Sequence, residues 1–414
     1  MKIKNFKNFE FVPGGVCAAM GFLANGIHCG IKAGSNPDKN DLAMICAEQE
    51  CTAAAMYTTN KVQGAPIAVT KEHLQNGIAQ AVIVNSVNAN TCNADGVVKA
   101  QKMCEFTAEA LNISAENVIV ASTGVIGQPL PIEPIGSAIP ELAKGLNSQG
   151  NAAAVNAIMT TDTVPKEVAV RFTIQGKLCT LGGMLKGSGM IHPNMATTLT
   201  FLTTDCAVSS DMLQDALREV VAVTLNRVSV DGDTSTNDMV CILADGLAEN
   251  PEIRTAGEDF EIFKDALYAV LMNLARMMAR DGEGATKLIE CFCDGASDDK
   301  TAEIVAKSVI TSSLFKAAIF GEDANWGRIL CAVGYAPADF DISQVNVDMS
   351  SEKGRIAVCR NGAGVEFSEE LAKEILSEEE ILVSVTIGTG VGCAVAWGCD
   401  LTYDYVRING DYRS

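Results

Sequence analysis

The residues with the most chemical promise lie near the middle of the 414-residue chain, in Leu185-Lys186-Gly187-Ser188-Gly189-Met190-Ile191-His192-Pro193-Asn194-Met195-Ala196-Thr197-Thr198-Leu199. Glycines at 187 and 189 and the proline at 193 break any helix or central strand. Directly afterwards, Leu199-Thr200-Phe201-Leu202-Thr203-Thr204 is apolar and β-branched, which predicts a strand. A loop therefore delivers Ala196-Thr197 to the mouth of a core strand. A threonine placed there becomes a nucleophile if the chain is cut before it: the hydroxyl attacks, and its own freed amine serves as base. The plain alternative is a threonine that starts a strand and packs there.

The other chemistries on offer are poorly supported. The three histidines, His28, His73 and His192, lie in no Gly-x-Ser-x-Gly elbow. Lys186-Gly187-Ser188 is a fragment of a phosphate-binding loop without the strand-loop-helix setting. Asp231-Gly232-Asp233-Thr234-Ser235-Thr236-Asn237-Asp238 invites a calcium reading, yet an EF-hand loop needs Gly sixth and Glu twelfth, where this chain has Thr236 and Ile242. Cys291 and Cys293 share one face of a strand, but no second Cys/His pair has zinc spacing, so no metal site is expected. Gly388-Thr389-Gly390-Val391-Gly392 lacks the dinucleotide spacing and runs into strand-like Cys393–Trp397, which predicts a hairpin. Ser122-Thr123-Gly124, coming after the strand-like Val118–Ala121, reads by itself as a turn. The Thr123 hydroxyl and a backbone N–H beside Gly124 can nevertheless both face a site.

Composition narrows the class further. A net charge of −20 argues against binding a phosphate backbone, and the acid is spread along the chain as a solubilising surface. The fifteen cysteines sit inside apolar stretches such as Val240-Cys241-Ile242, which fits buried thiols in a reducing cytoplasm. No apolar run reaches the ~18 residues of a membrane span, and no signal-peptide h-region stands behind the basic start.

Periodicity places the secondary-structure elements that carry these residues. Strands are expected over 66–70, 81–84, 118–121, 167–174, 178–181, 199–204, 288–293, 342–348, 355–359 and 381–387. Helices are expected over 71–76, 96–111, 132–146, 151–158, 210–226, 257–280, 301–319, 328–335 and 368–377. The tail from Tyr403 is polar, with a turn at Asn409-Gly410. The polar stretch Asp294–Lys300 marks the best place for a change of domain.

Several blocks in order along the chain change the weighting. Leu185–Met190 with Met195-Ala196-Thr197 resembles the signature of the ornithine acetyltransferase family, the glutamate N-acetyltransferases of arginine biosynthesis. So do Ala65-Pro66, Val84-Asn85-Ser86, Ala121–Gly127, Ser229–Asp238, Asp281-Gly282-Glu283-Gly284, Gly321–Arg328 and Tyr405–Asn409, in family order over essentially the whole chain. The resemblance implies an α/β (α+β) fold with a layered helix-sheet-sheet-helix core, a catalytic domain over 1–294 and a smaller C-terminal α/β domain over 295–414 whose tail returns to the active site. It implies self-cleavage between Ala196 and Thr197, giving an α chain of 1–196 and a β chain of 197–414. Thr197 would take the acetyl group of N-acetylornithine and pass it to glutamate in ping-pong order, with Thr123 and Gly124 as the oxyanion hole. Thr160, Lys186, Thr197, Glu283, Asn409 and Ser414 would bind substrate.

By the same resemblance no cofactor is needed, acetyl-CoA is a possible co-substrate, and the α and β chains assemble as a heterotetramer or larger, with no nucleic acid or membrane partner. Two departures stand out. Val87 replaces a glycine of the family's Asn-Ser-Gly-Asn-Ala-Asn block, where a positive φ would strain it. Ser414 replaces a terminal threonine and keeps the hydroxyl. Three rivals remain open: a bifunctional enzyme that also makes N-acetylglutamate from acetyl-CoA, a self-cleaving aminopeptidase or amidase using water as acceptor, and an uncleaved amino-acid-binding protein.

Overall fold

Long β-branched and apolar runs separated by amphipathic stretches dictate an alternation of strands and helices. The computed structural model describes residues 3–32, 34, 36–192 and 198–410. Among these, the strands are β1 (Glu10–Val12), β2 (Phe22–Ile27), β3 (Leu42–Tyr57), β4 (Ile78–Asn85), β5 (Val118–Ser122), β6 (Lys166–Ile174), β7 (Lys177–Lys186), β8 (Leu199–Thr204), β9 (Val228–Ser229), β10 (Met239–Ala244), β11 (Leu288–Ala296), β12 (Asn346–Ser351), β13 (Gly354–Arg360), β14 (Ala363–Gly364), β15 (Glu380–Thr386) and β16 (Gly392–Cys399). The α-helices are α1 (Ala65–His73), α2 (Gly96–Leu111), α3 (Ile132–Lys144), α4 (Asn151–Ile158), α5 (Ser210–Val223), α6 (Glu258–Arg280), α7 (Asp299–Thr311), α8 (Ser313–Phe320), α9 (Trp326–Gly334), α10 (Glu369–Leu376) and α11 (Tyr403–Asn409).

These strands form two sheets, so the expected α/β class holds. The first runs β1-β6-β7-β8-β10-β3-β4-β5 with β2 paired to β3. The second runs β14-β13-β12-β15-β11-β16-β9. Strand β3 serves three partners: Leu42–Ala47 pair with β2, Leu42–Cys46 and Cys51–Thr52 with β4, and Thr52–Tyr57 with β10. Its register with β4 shifts between Cys46 and Cys51, where Glu48, Gln49 and Glu50 are exposed. An irregularity of this kind bends a strand.

Helix α6 links the two sheets. Its apolar stripe packs on β6 and β7 of the first sheet and reaches β9, β11 and β16 of the second. A buried ion network fastens the second contact: Arg276 on α6 donates to Glu290 on β11 (2.8 Å) and Glu380 on β15 (2.7 Å), and the Trp397 indole donates to the same Glu290 (2.8 Å). Helix α7 packs on β11 and β16 and α10 on β12 and β13, with α9 packed against α7 and α8.

Four local expectations give way to a different structure. Residues 66–70 are helical, within α1, because Pro66 sits in a first helical turn and presets its φ. The stretch 301–319 is two helices, broken at Ser312, whose hydroxyl accepts from the Phe315 N–H and caps α8. The expected hairpin across 388–392 does not form: β11 lies between β15 and β16, pairing parallel with the first and antiparallel with the second. The tail is the helix α11 up to Asn409, capped by the Thr402 side chain.

Candidate active site

Strand ends of the first sheet converge on one cavity of about 120 Å³. A single water needs only ~10–15 Å³ of such a cavity, so the space suits a small metabolite. Its walls come from the turn after β5 (Thr123, Gly124), the end of β7 and the loop beyond it (Lys186, Gly187, Gly189), the start of β8 (Thr198, Leu199), and Ser235–Asp238 ahead of β10. Thr160, Glu283 and Asn409 complete it. Thus Thr123, Gly124, Thr160, Lys186, Glu283 and Asn409, six of the residues singled out in the sequence, share one cavity. Ala196, Thr197 and Ser414 lie outside the described residues.

Gly124 is required by geometry. Its φ is +133°, and a Cβ would fall under 3.0 Å from the backbone of Val87 and Asn88. The Thr123 N–H is used by Asn85 O (3.0 Å) and the Val125 N–H by Val87 O (3.0 Å). Between them, the Gly124 N–H has no partner among the described residues, which leaves it free for an oxyanion. Val87 itself has φ +75°, so the positive φ is kept although the residue is β-branched.

Beneath the cavity lies a charge cluster that the sequence reading missed. The fully buried Lys166 ammonium is 2.7 Å from Asp162 and 2.5 Å from Asp281. Asp162 also accepts from the backbone N–H groups of Gly187 (2.8 Å) and Thr160 (3.1 Å), and Asp281 from that of Thr163 (3.0 Å). Burial alone would raise the Asp162 pKa, but the Lys166 and Lys186 charges and these donors hold it at about 2. One lysine thus fixes the backbone beside Thr160 and Lys186. Asp281 opens the turn that carries Glu283, and the turn is tied back to the central loop: Ser188 Oγ donates to Asp281 O (2.7 Å) and the Glu283 N–H to Ser188 O (3.1 Å). No periodicity signals Lys166, because its partners are distant or in irregular backbone.

Glu283 is buried and accepts from Asn409 Nδ2 at 2.6 Å, so helix α11 reaches the cavity through a direct contact. Gly189 leaves room for that carboxylate, since a Cβ there would overlap it.

The segment rejected above as a calcium loop holds the described backbone on either side of residues 193–197. Asp231 accepts from the Met190 (2.7 Å) and Ile191 (2.9 Å) N–H groups, and the Thr234 hydroxyl donates to His192 O (2.7 Å). On the other side of residues 193–197, the Met239 N–H donates to Thr198 O at 2.7 Å. Asn237 joins this segment to the glycine turn by donating to Ala89 O (2.6 Å) and Ser122 O (3.0 Å). Thr198 is buried, and its hydroxyl is engaged by that of Thr200 at 2.5 Å. Cys291 and Cys293 are buried free thiols in the second sheet's core, and no His/Cys/Asp/Glu group among the described residues is arranged to hold a metal ion.

Comparison with known proteins gives the family of the chain. The sequence pattern of the ArgJ family matches residues 23–414. The arginine biosynthesis bifunctional protein ArgJ of Caldanaerobacter subterraneus subsp. tengcongensis is 47% identical over 406 residues, covering 98% of this chain and 100% of that protein. The arginine biosynthesis bifunctional protein ArgJ 1 of Clostridium acetobutylicum is 48% identical over 415 residues, covering 100% and 99%. The crystal structure of the arginine biosynthesis bifunctional protein argJ from Bacillus halodurans is 45% identical, covering 50% of this chain and 96% of that one with a TM-score of 0.48. The chain belongs to the ArgJ family.

Proposed function

We propose that this protein transfers the acetyl group of N-acetylornithine to glutamate in arginine biosynthesis, and that it also makes N-acetylglutamate from acetyl-CoA. Membership of a family whose near relatives are named arginine biosynthesis bifunctional proteins supports both activities. The observation that carries the reading is the convergence of Thr123, Gly124, Thr160, Lys186, Glu283 and Asn409 on the cavity that Thr198 also lines. Thr197, the preceding residue, is the nucleophile, released by cleavage after Ala196.

In this mechanism the Thr197 hydroxyl adds to the acetyl carbonyl while its freed α-amine, with a pKa near 8, takes the proton. The Gly124 N–H and the Thr123 hydroxyl stabilise the oxyanion, each such donor being worth about 3 kcal/mol. Lys186 meets the substrate carboxylate and Glu283 its free amine. Ornithine departs, and glutamate takes the acetyl group from the threonine ester. The hydroxyl of Ser414 contributes to substrate binding. Thr198 is a poor rival for Thr197 because its hydroxyl is already engaged.

The α chain (1–196) and β chain (197–414) stay together through the first sheet, where β7 from one pairs with β8 from the other. Higher assembly as a heterotetramer or larger, action in the cytoplasm, independence of any cofactor and a smaller domain beginning near 295 belong to the same reading. Among the described residues no helix is long and apolar enough to cross a membrane.

Denaturing intact mass on the wild type beside Thr197→Ala tests the nucleophile. Two fragments meeting at Ala196/Thr197 in the wild type, and one chain in the variant, are expected. An uncut wild-type chain favours the amino-acid-binding reading. Assays with N-acetylornithine plus glutamate, and with acetyl-CoA as sole donor, then separate acetyl transfer from amide hydrolysis, which releases free acetate instead.

A further inference from the structure

The segment 231–238 is used almost throughout as structure, with one exception. Asp231 and Thr234 hold the residues before the break point, the Ser235 carbonyl accepts from Thr58 Oγ1 (2.8 Å), and Asn237 ties the segment to the turn after β5. Asp238 comes next, lines the cavity and is only 4% exposed. Its Oδ2 is buried and has no hydrogen-bond partner among the described residues. Leaving a buried carboxylate oxygen unpaired is costly, so such a group in a cavity wall needs an explanation. Its position is fixed by its neighbour: Met239 N–H holds Thr198 O, and Met239 pairs with Leu199 in the parallel β8/β10 ladder. Asp238 is therefore anchored beside the start of β8, on the same cavity as the Gly124 N–H and Lys186.

Resting on the acetyl-transfer reading above, we propose that Asp238 is a further catalytic residue, whose free carboxyl oxygen exchanges a proton with the amine nitrogen that leaves or attacks the acetyl group. An amine does not depart from a tetrahedral centre as an anion, so the nitrogen must be protonated as its bond to the acetyl carbon breaks. The acid form of Asp238 gives that proton when ornithine leaves, while the Thr197 hydroxyl proton rests on the freed α-amine. In the second half-reaction the incoming glutamate amine bonds to the acetyl carbon and loses a proton to the Asp238 carboxylate. The α-ammonium then returns its proton to the departing Thr197 oxygen. Both groups end as they began, and no outside reactant is consumed. Burial drives the Asp238 pKa well above the usual carboxylate range, against the opposing hydrogen bonds from Ser235 and the Lys186 charge, a shift in the direction that favours the acid form the first step needs.

The test compares two acetyl donors on Asp238→Asn and Asp238→Ala. N-acetylornithine needs a proton on its leaving nitrogen, whereas an aryl acetate such as p-nitrophenyl acetate releases a phenolate that does not. The variants are expected to be cleaved at Ala196/Thr197 and to lose at least about 100-fold in kcat with N-acetylornithine. Their acetylation burst with p-nitrophenyl acetate should stay within about threefold of wild type. Equal losses with both donors, no loss with either, or failure of both variants to fold would overturn the assignment. Failure of the acetyl-transfer reading shows separately, as a wild-type enzyme that moves no acetyl group from N-acetylornithine to glutamate.

Discussion

Replacing Lys166 by methionine keeps most of the buried volume and removes one charge from a site with no access to water. The wild-type ammonium faces two carboxylates at 2.7 and 2.5 Å, and the side chains of Lys166 and Asp162 are both 0% exposed. Attraction of this kind mostly repays the cost of bringing the ions out of water, so the triad itself adds little net stability. Removing the cation is another matter, because Asp162 and Asp281 remain buried and face each other. Breaking a buried pair in this way costs about 3–5 kcal/mol. For a chain of 414 residues that melts as one unit, the loss corresponds to a Tm lowered by about 3–6 °C at pH 7.

The pH dependence gives the sharper test. In the wild type the Asp162 carboxyl is depressed to about 2, so its stabilisation is present above the unfolded value near 3.9 and is lost only as pH falls through about 2. In Lys166→Met the same carboxyl is raised by burial and by Asp281, so the variant should recover stability between pH 7 and pH 5. Denaturant unfolding at both pH values measures this. The Thr160 and Gly187 N–H groups lose their fixed acceptor as well, so kcat/KM for acetyl transfer should fall by about tenfold or more even where the protein is folded. A variant within 1 kcal/mol of wild type at pH 7, with an unchanged pH slope, would refute the account of the triad.

Gly124→Ala forces a Cβ into the Val87–Asn88 backbone at a φ that alanine avoids. It should cost about 2–4 kcal/mol of stability and about 10²–10³ in acetyl-transfer kcat, read by melting and steady-state kinetics. At Val87, with φ +75°, the usual order of alanine over glycine should reverse. Val87→Gly relieves about 1–2 kcal/mol of strain and should be the more stable of the two in denaturant unfolding, whereas Val87→Ala keeps the strain and loses packing. Asp245 is raised to about 7 by burial, opposed by the Leu247 N–H and reinforced by the charges of Asp205 and Glu48. A raised carboxyl stabilises the fold below its unfolded pKa and loses that contribution as pH climbs through about 7. Asp245→Asn should therefore be more stable than wild type at pH 8 and flatten the stability profile between pH 5 and 8, and parallel profiles would contradict this.

Local pattern was enough where the chain's own periodicity decides the outcome. The apolar run Ala81–Val84 read correctly because it is continuous and buried, and the stripe of α5 and the long α6 because each buries one face determined by its own spacing. It misled where two templates fit a short run. Pro66-Ile67-Ala68-Val69-Thr70 alternates like a strand, yet a proline in the first turn and the burial of Ile67 and Thr70 three apart belong to a helix. It could not see the insertion of β11 between β15 and β16, because pairing with a strand some ninety residues away leaves no local mark. The site residues became legible through family blocks and not through spacing, and for a physical reason. Thr123, Lys186, Glu283 and Asn409 are brought together only by the sheet and the tail helix.

The segment 231–238 shows how one sequence can be read correctly for what it lacks and still be missed for what it does. Its density of Asp, Asn, Ser and Thr suggested a cation because those residues supply oxygen ligands, and the absent glycine and glutamate excluded that. The same short oxygens are also the natural acceptors for backbone N–H groups in irregular chain. Here they accept from Met190 and Ile191, with Asn237 donating to two carbonyls near the turn after β5 and the Met239 N–H holding Thr198. The backbone on both sides of the Ala196/Thr197 bond is thereby held by one short stretch that also touches the turn carrying Gly124. In the proposed mechanism that shared framework ties self-cleavage and acetyl transfer to the same geometry. Asp231→Asn keeps the shape while weakening two charge-assisted bonds, so it should slow fragment formation and acetyl-enzyme formation together. If cleavage slowed while the mature fragments transferred acetyl at the wild-type rate, the segment would serve the cut alone.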